Sequence, residues 1–315
     1  MKEIIVFGKG KYAESNWEKI ENQYKIIAVL DNAIGKEKYL SFKGIKVYKP
    51  QEYEKIMSTP ILVMVYNYKS IVTQLMELGV DKKNIWIYKN NSDESISYVT
   101  QEEVEKLREL PHTPIDEDWG YRRGTPIGRI YIQNFLRDYR ENIVGDIMEV
   151  GDCTYSRLFS IKNKVKSYTA IHVEEVEGCR KANLETGEGL CTEEFDTMII
   201  TQTLAYMYDL KAVVKNIYNS LKPNGYCMVT VTDIGHMGVA EEKKWGTYWG
   251  FHKDGCRKFF SEVFGENNVQ VKVYGNIKTV VAHLYGLAAE DIDQECIDEI
   301  DERYPMIIGI VAHRV

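Results

Sequence analysis

The chain has 315 residues with 40 basic against 47 acidic side chains, a formal net charge of -7, so no global attraction draws it to nucleic acid or to an anionic membrane surface. Its length exceeds one ordinary core and predicts two soluble domains. Six cysteines without a Cys-x-x-Cys pair, no apolar run of spanning length, and Met1-Lys2-Glu3 leading straight into a strand fit a reducing cytoplasm, with neither signal peptide nor membrane insertion.

Glu3 to Gly8 is an apolar run that predicts a strand, followed by Gly8-Lys9-Gly10 and a helical stretch with Ala13 where a dinucleotide fingerprint has its third glycine. A second strand, Lys25 to Leu30, ends at Asp31, a position from which a carboxylate can accept hydrogen bonds from ribose hydroxyls. The pattern continues with a strand at Gly44 to Tyr48, a short helix at Pro50 to Met57 and a strand at Pro60 to Tyr66. An amphipathic helix at Tyr68 to Leu78, closed by Gly79, and a strand at Asn84 to Tyr88 complete it. Strands alternating with helices predict a parallel sheet with right-handed crossovers, so residues 1–90 read as a Rossmann-like domain. Val6-Phe7-Gly8-Lys9-Gly10 and Val29-Leu30-Asp31-Asn32 resemble the small nucleotide-sugar- or NAD-binding-like domains fused to sugar-modifying enzymes. That resemblance makes Gly8, Gly10 and Asp31 candidates for a site holding a nucleotide or nucleotide-sugar. A tight turn without a ligand is the other reading of the same residues. Hydride transfer finds no partner chemistry downstream.

Residues 91–118 turn polar, with Pro111 and Pro114 and a charged helical piece from Gln101 to Leu110, and read as a linker with a solvated face. The second domain, 119–315, opens with Thr125 as a side-chain cap before Pro126, then a helix with Ile132, Phe135, Leu136 and Tyr139 on one face. Gly145 breaks the pattern, and the strand Asp146 to Val150 delivers Glu149 into a turn at Gly151, where a ligand can approach the backbone. The next strand, Ser167 to Val173, ends at Glu174, one strand-helix-strand step after Glu149 and therefore placed for a ribose if a nucleoside binds. A short strand at Arg180 to Leu184 ends near Asn183, and Phe195 to Leu204 is a buried strand with its turn. Asp209 to Leu221 is a helix that stops at Lys222-Pro223-Asn224-Gly225, before the strand Tyr226 to Thr232. Val269 to Tyr274 and Met306 to Ala312, around a helix near Thr279 to Ala289, are the last strands, one of which can run antiparallel.

Phe195-Asp196, Thr201-Gln202-Thr203-Leu204, Tyr208-Asp209 and Leu221-Lys222-Pro223-Asn224-Gly225 resemble the signature of class I methyltransferases. A narrower resemblance runs through Pro126, Arg129, Tyr131, Glu149-Val150-Gly151-Asp152, Tyr155, Trp245-Gly246-Thr247-Tyr248-Trp249 and Gly286-Leu287-Ala288-Ala289-Glu290. It is to a bacterial family of S-adenosylmethionine-dependent methyltransferase-like proteins found with surface-polysaccharide and glycosyltransferase machinery. The two together span roughly Asp118 to the C-terminus. They imply a seven-strand sheet binding S-adenosylmethionine at the carboxyl ends of its strands. Glu149, Gly151 and Asp152 would then face the methionine part, Glu174 the ribose and Asn183 the adenine edge, with Thr201, Gln202 and Thr203 forming the floor near the sulfonium. The sequence departs from the class I pattern twice: Asp152, Cys153 and Thr154 follow Gly151 where further glycines are usual, and Asn183 stands where an aspartate is usual.

Methyl transfer asks little covalent help of a protein beyond alignment and water exclusion, although a hydroxyl acceptor gains from a general base. His252, Asp233 and His236 are the catalytic candidates; a loop histidine that is merely solvated is the plainer reading of His252. Trp245, Tyr248 and Trp249 can stack on a sugar ring or serve as packing, and Arg129 can meet a carboxylate or phosphate or sit in a surface ion pair. No metal-ligand spacing and no nucleophile-base-acid triad is readable. The expected function is therefore methylation of a sugar or sugar nucleotide in surface-glycan biosynthesis. The alternative is a degenerate methyltransferase that acts as a scaffold for glycosyltransferases. Neither reading fixes the oligomeric state, and homo-oligomers are compatible with both.

Overall fold

The computed structural model describes residues 1–33, 41–89, 97–235 and 243–315, which divide into two units, Met1–His112 and Thr113–Val315. In the first, β1 (Lys2–Phe7), β2 (Tyr24–Leu30), β3 (Ser41–Phe42), β4 (Ile45–Tyr48), β5 (Ile61–Val63), β6 (Ile85–Lys89) and β7 (Ser97–Thr100) form one sheet in the order β3-β4-β2-β1-β5-β6-β7. Its central strands are parallel, whereas β3 and β7 run antiparallel at the edges. Unbroken apolar runs suit strands covered on both faces. In β1, Ile4 and Val6 enter one buried cluster while Ile5 and Phe7 enter the other.

Residues 97–108, which composition assigns to the linker, belong to this first unit. β7 pairs with β6, and the helix Gln101–Arg108 follows behind a capping box in which Thr100 Oγ1 accepts from the Glu103 amide and the Glu103 carboxylate accepts from the Thr100 amide. Val99 and Val104 pack against the buried cluster beneath. The Thr-x-x-Glu spacing carries that helix start in the sequence, but the surrounding charges dominate a composition reading.

The second unit is built on β8 (Gly145–Val150), β9 (Val165–His172), β10 (Arg180–Lys181), β11 (Phe195–Thr201), β12 (Leu221–Thr232), β13 (Val269–Tyr274) and β14 (Ile307–His313), ordered β10-β9-β8-β11-β12-β14-β13. All are parallel except β14, which is antiparallel to both neighbours. The alternation repeats here: Met148, Met198 and Ile200 face one core, Ile147 and Ile199 the other. Two glycines make room for this packing. A Cβ on Gly145 would lie 2.3 Å from Asp196 Oδ2, and one on Gly309 of β14 would lie 2.3 Å from the ring of Phe135. Phe135 lies fully buried on the helix Ile127–Asp138.

Two local expectations are corrected. Thr125 does not cap that helix, because Pro126 occupies the N-cap position and the Thr125 amide and hydroxyl both donate to Glu290 at 2.8 Å. The strand expected at Arg180 to Leu184 stops at Lys181, since Asn183 turns the chain: its side-chain Oδ1 accepts from the amides of Glu185 and Thr186.

Candidate functional site

β8 has β9 and β10 on one side and β11 and β12 on the other, so the chain changes direction across the sheet between β8 and β11. Ligands of open α/β sheets bind outside the carboxyl ends of the strands at such a switch. A cleft of about 720 Å³ opens at that edge, within the usual range for a small-molecule site. Thr201 at the end of β11 with Gln202 just after it, and Thr232 at the end of β12 with Asp233 just after it, form its floor. The sheet has the seven strands that the resemblance in the sequence implies.

Gln202 holds a positive φ of 52°, uncommon without glycine. It is fixed by three bonds to β12: its amide donates to Thr230 O at 2.8 Å, its Nε2 to Thr230 Oγ1 at 3.3 Å, and its Oε1 accepts from Thr232 Oγ1 at 2.5 Å. A strained residue over-determined by its neighbours is common at working sites. Thr203 lies just beyond, its hydroxyl donating to Thr201 O.

The turn after β8 is shaped from within. Gly151 has φ +91° and faces open space where a Cβ would stand, so the backbone, rather than packing, demands glycine. Its amide donates to Ile171 O at 2.9 Å. Glu149 is buried, and its carboxylate accepts from the amides of Tyr155 (3.1 Å) and Ser156 (2.7 Å) at the start of the helix Thr154–Phe159. Burial pushes its pKa up, opposed by those bonds. Asp152 accepts from the Thr154 amide at 2.7 Å. Glu149 and Asp152 thus hold the turn, and the exposed backbone of Gly151 is what faces outward. Beyond β9, Glu174 is exposed and ion-paired with Lys244, and its amide donates to His172 Nδ1.

On the facing side, Asp233 lines the cleft with its side chain 7% exposed, while His252, 83% exposed, meets it from outside with Nδ1 2.8 Å from Asp233 Oδ1. His236 lies outside the described residues. Tyr248 and Trp249 line the cleft, and Trp249 Nε1 is anchored on Met207 O at 2.9 Å. Trp245 packs edge-on against His172 and Tyr206. Arg129 lines the opposite wall.

Sequence reasoning missed the stretch that completes this wall, Asp118 to Tyr121, and the cleft-lining Tyr206, Thr247 and His283. Residues 113–126 are clipped to the turn Gly286–Glu290. The Ile115 amide donates to Tyr285 O, Arg123 holds Asp291 through two bonds, and Thr125 holds Glu290. A Cβ on Gly120 would stand 2.8 Å from Leu287 O, and one on Gly286 would stand 1.9 Å from Asp116 O. Two aromatics, Trp119 and Tyr121, in an otherwise polar segment were the available signal.

In the first unit, Gly8 has φ +112° and abuts Met64, where a Cβ would come within 2.9 Å of its carbonyl. Gly10 opens the helix Lys11–Ser15. Asp31 accepts from the amides of Lys9 (3.0 Å) and Ala33 (2.7 Å), so its carboxylate ties the glycine turn to the end of β2. No metal-binding group of His, Cys, Asp and Glu occurs among the described residues, and no described helix is long and apolar enough to cross a membrane.

A family model described as C2185-like, N-terminal, matches residues 1–86. No curated protein matches the sequence. Among solved structures, a SAM-dependent methyltransferase from Archaeoglobus fulgidus is similar at 15% identity and a TM-score of 0.40, covering 59% of this chain and 94% of that one. The N-methyltransferase NodS from Bradyrhizobium japonicum, solved with S-adenosyl-L-homocysteine, is similar at 13% identity and a TM-score of 0.39, covering 64% and 93%. A 1,6-didemethyltoxoflavin-N1-methyltransferase from Burkholderia thailandensis stands at 9% identity and 0.39, covering 59% and 77%.

Proposed function

We propose that the protein is an S-adenosylmethionine-dependent methyltransferase acting on a hydroxyl of a sugar or sugar nucleotide in surface-glycan assembly in the cytoplasm. The observation that carries this reading is the cleft at the β8/β11 switch, with Tyr155 of the helix after the Gly151 turn on its lining and open space where a Cβ on Gly151 would stand. When bound, S-adenosylmethionine supplies a methyl group already activated on a sulfonium. Gly151 and the floor of Thr201, Gln202 and Thr203 would hold it, with Glu149 and Asp152 as positioning residues. Glu174 would reach the ribose once released from Lys244, and Asn183 would offer its amide nitrogen to the adenine edge, its oxygen being committed to the turn.

Of the catalytic candidates, Asp233 is the one inside the cleft. Its carboxylate would take the proton from the acceptor hydroxyl, with His252, Nδ1 2.8 Å from Asp233 Oδ1, as the residue that orients it. Tyr248 and Trp249 would lie against the acceptor ring. In the first unit the Gly8–Gly10 turn is the place for a nucleotide or nucleotide-sugar. The scaffold reading, with glycosyltransferase partners, draws on the engagement of Glu174 by Lys244 and the commitment of the Asn183 oxygen.

Calorimetric titration with S-adenosylhomocysteine tests this, on wild type, Gly151→Arg and Gly151→Ala. Alanine adds only backbone strain, because its Cβ meets nothing within 4 Å. Micromolar binding by wild type, retained by alanine and lost with arginine, supports the cofactor site; no binding by folded wild type moves the reading to the scaffold. With an acceptor in hand, Asp233→Asn is expected to lower kcat by about 10²- to 10⁴-fold. His252→Ala should cost less, and an unchanged kcat in Asp233→Asn removes the base assignment.

A further inference from the structure

Arg129 is a cation that the fold orients without neutralising. Its Nη2 donates to Tyr121 Oη at 2.8 Å, and its guanidinium carbon lies 5.3 Å from the centroid of the same ring. Both contacts are to a neutral group. Arg123, Arg180, Arg303 and Arg314 each hold a carboxylate at 2.6 to 2.7 Å, but no ion pair involves Arg129 among the described residues. Arg129 is also the third residue of the helix Ile127–Asp138, whose first turn carries no acid. A cation there opposes the helix dipole, an arrangement that local structure does not reward. Its charge does act on the cleft: Tyr155, on the same lining, has its phenol raised by burial and pulled the other way by Arg129.

A second, independent observation concerns Thr247, on the wall carrying Tyr248 and Trp249. Its Oγ1 is buried and has no hydrogen-bond partner among the described residues. Buried polar atoms are rarely left so. Of the carboxylates lining the cleft, Asp233 is engaged by His252, and Asp118 stands exposed on the rim.

Resting on the methyltransferase reading, we infer that the acceptor is an acid, carrying an oxyanion, carboxylate or phosphate, that Arg129 receives while its ring lies against Tyr248 and Trp249 and one of its polar groups meets Thr247. The guanidinium offers several N–H donors in a planar fork, of which one is used by Tyr121, so a two-point contact to an oxyanion remains available. Arg129 is then the residue that separates acidic from neutral acceptors.

The full chain, saturated with S-adenosylhomocysteine, is titrated with D-glucose, D-glucuronate, D-glucose 6-phosphate and D-glucosamine, and binding is followed by ligand-observed NMR. Glucuronate, glucose 6-phosphate or both should bind at least ten-fold more tightly than glucose, and which does so identifies the oxyanion. Arg129→Gln should erase that gap without changing glucose binding, and Arg129→Lys should keep part of it. Equal binding of acid and neutral sugars, tighter binding of glucosamine, a gap that survives Arg129→Gln, or no detectable binding of either acid at millimolar concentration each overturns the inference. The same titrations without S-adenosylhomocysteine, beside its own binding isotherm, separate the two failures. A protein that discriminates the acids but binds no S-adenosylhomocysteine has lost the methyltransferase reading and kept the anion site.

Discussion

Glu149 illustrates what a single residue can and cannot disclose. An acid at the end of an apolar strand, before a glycine, is legible in the sequence; its task is not. The carboxylate is turned inward onto the amides of Tyr155 and Ser156, a contact made only once the helix Thr154–Phe159 is in place. Glu174 was opaque for the same reason, since its partner Lys244 is brought to it only by tertiary structure, whereas the Asn183 turn is local, an Asn side chain closing on amides two and three residues on. Glu149→Gln keeps the shape but places an N–H donor against one of two backbone donors. A lost buried bond costs about 1–3 kcal/mol, and urea unfolding should register a loss of that size together with weaker S-adenosylhomocysteine binding. The pH dependence has a definite sign. Burial raises the carboxyl's pKa in the folded chain above its unfolded value, so the unfolded chain gives up its proton first. Stability from this residue is therefore greatest at acid pH and falls as pH rises through the ordinary glutamate range up to the elevated native value, then levels. Wild type should show that decline relative to Glu149→Gln; parallel stability curves for the two proteins would contradict it.

At the scale of elements, what was legible was whatever repeats. The apolar runs of β1, β8 and β11 and the face of Ile132, Phe135 and Leu136 predict their own burial, because parallel strands and amphipathic helices leave periodic marks. The short edge strands and the clip between residues 113–126 and Gly286–Glu290 leave none. The glycine of β14 was equally silent: nothing local distinguishes Gly309 from a strand defect. Its reason lies in the helix laid across it, where Phe135 fills the space a side chain would take. Gly309→Ala should therefore destabilise the second unit by about 1–3 kcal/mol through overpacking. Phe135→Leu alone opens a cavity and also destabilises. The two changes compensate if the argument holds, so the double variant should lose less than the sum of the single losses. Strict additivity in chemical denaturation would mean that Gly309 is retained for some reason other than Phe135.

For the molecule as a whole, the decisive feature is that each unit has buried clusters of its own among the described residues. The two clusters beneath the first sheet are formed between Ile4 and Val104, and the two beneath the second between Ile127 and Ala312. Each unit therefore satisfies its own sheet on both faces, the condition for folding independently. The same holds for the candidate site, since every residue lining the cleft lies between Asp118 and Ile307. Residues 113–315 expressed alone should accordingly unfold in one cooperative transition and bind S-adenosylhomocysteine within about three-fold of the full chain, a difference of less than ~0.7 kcal/mol. Residues 1–112 alone should likewise melt cooperatively and leave that ligand unbound. A second fragment that folds but binds more than ten-fold more weakly would overturn the assignment of the cofactor site to the second unit alone.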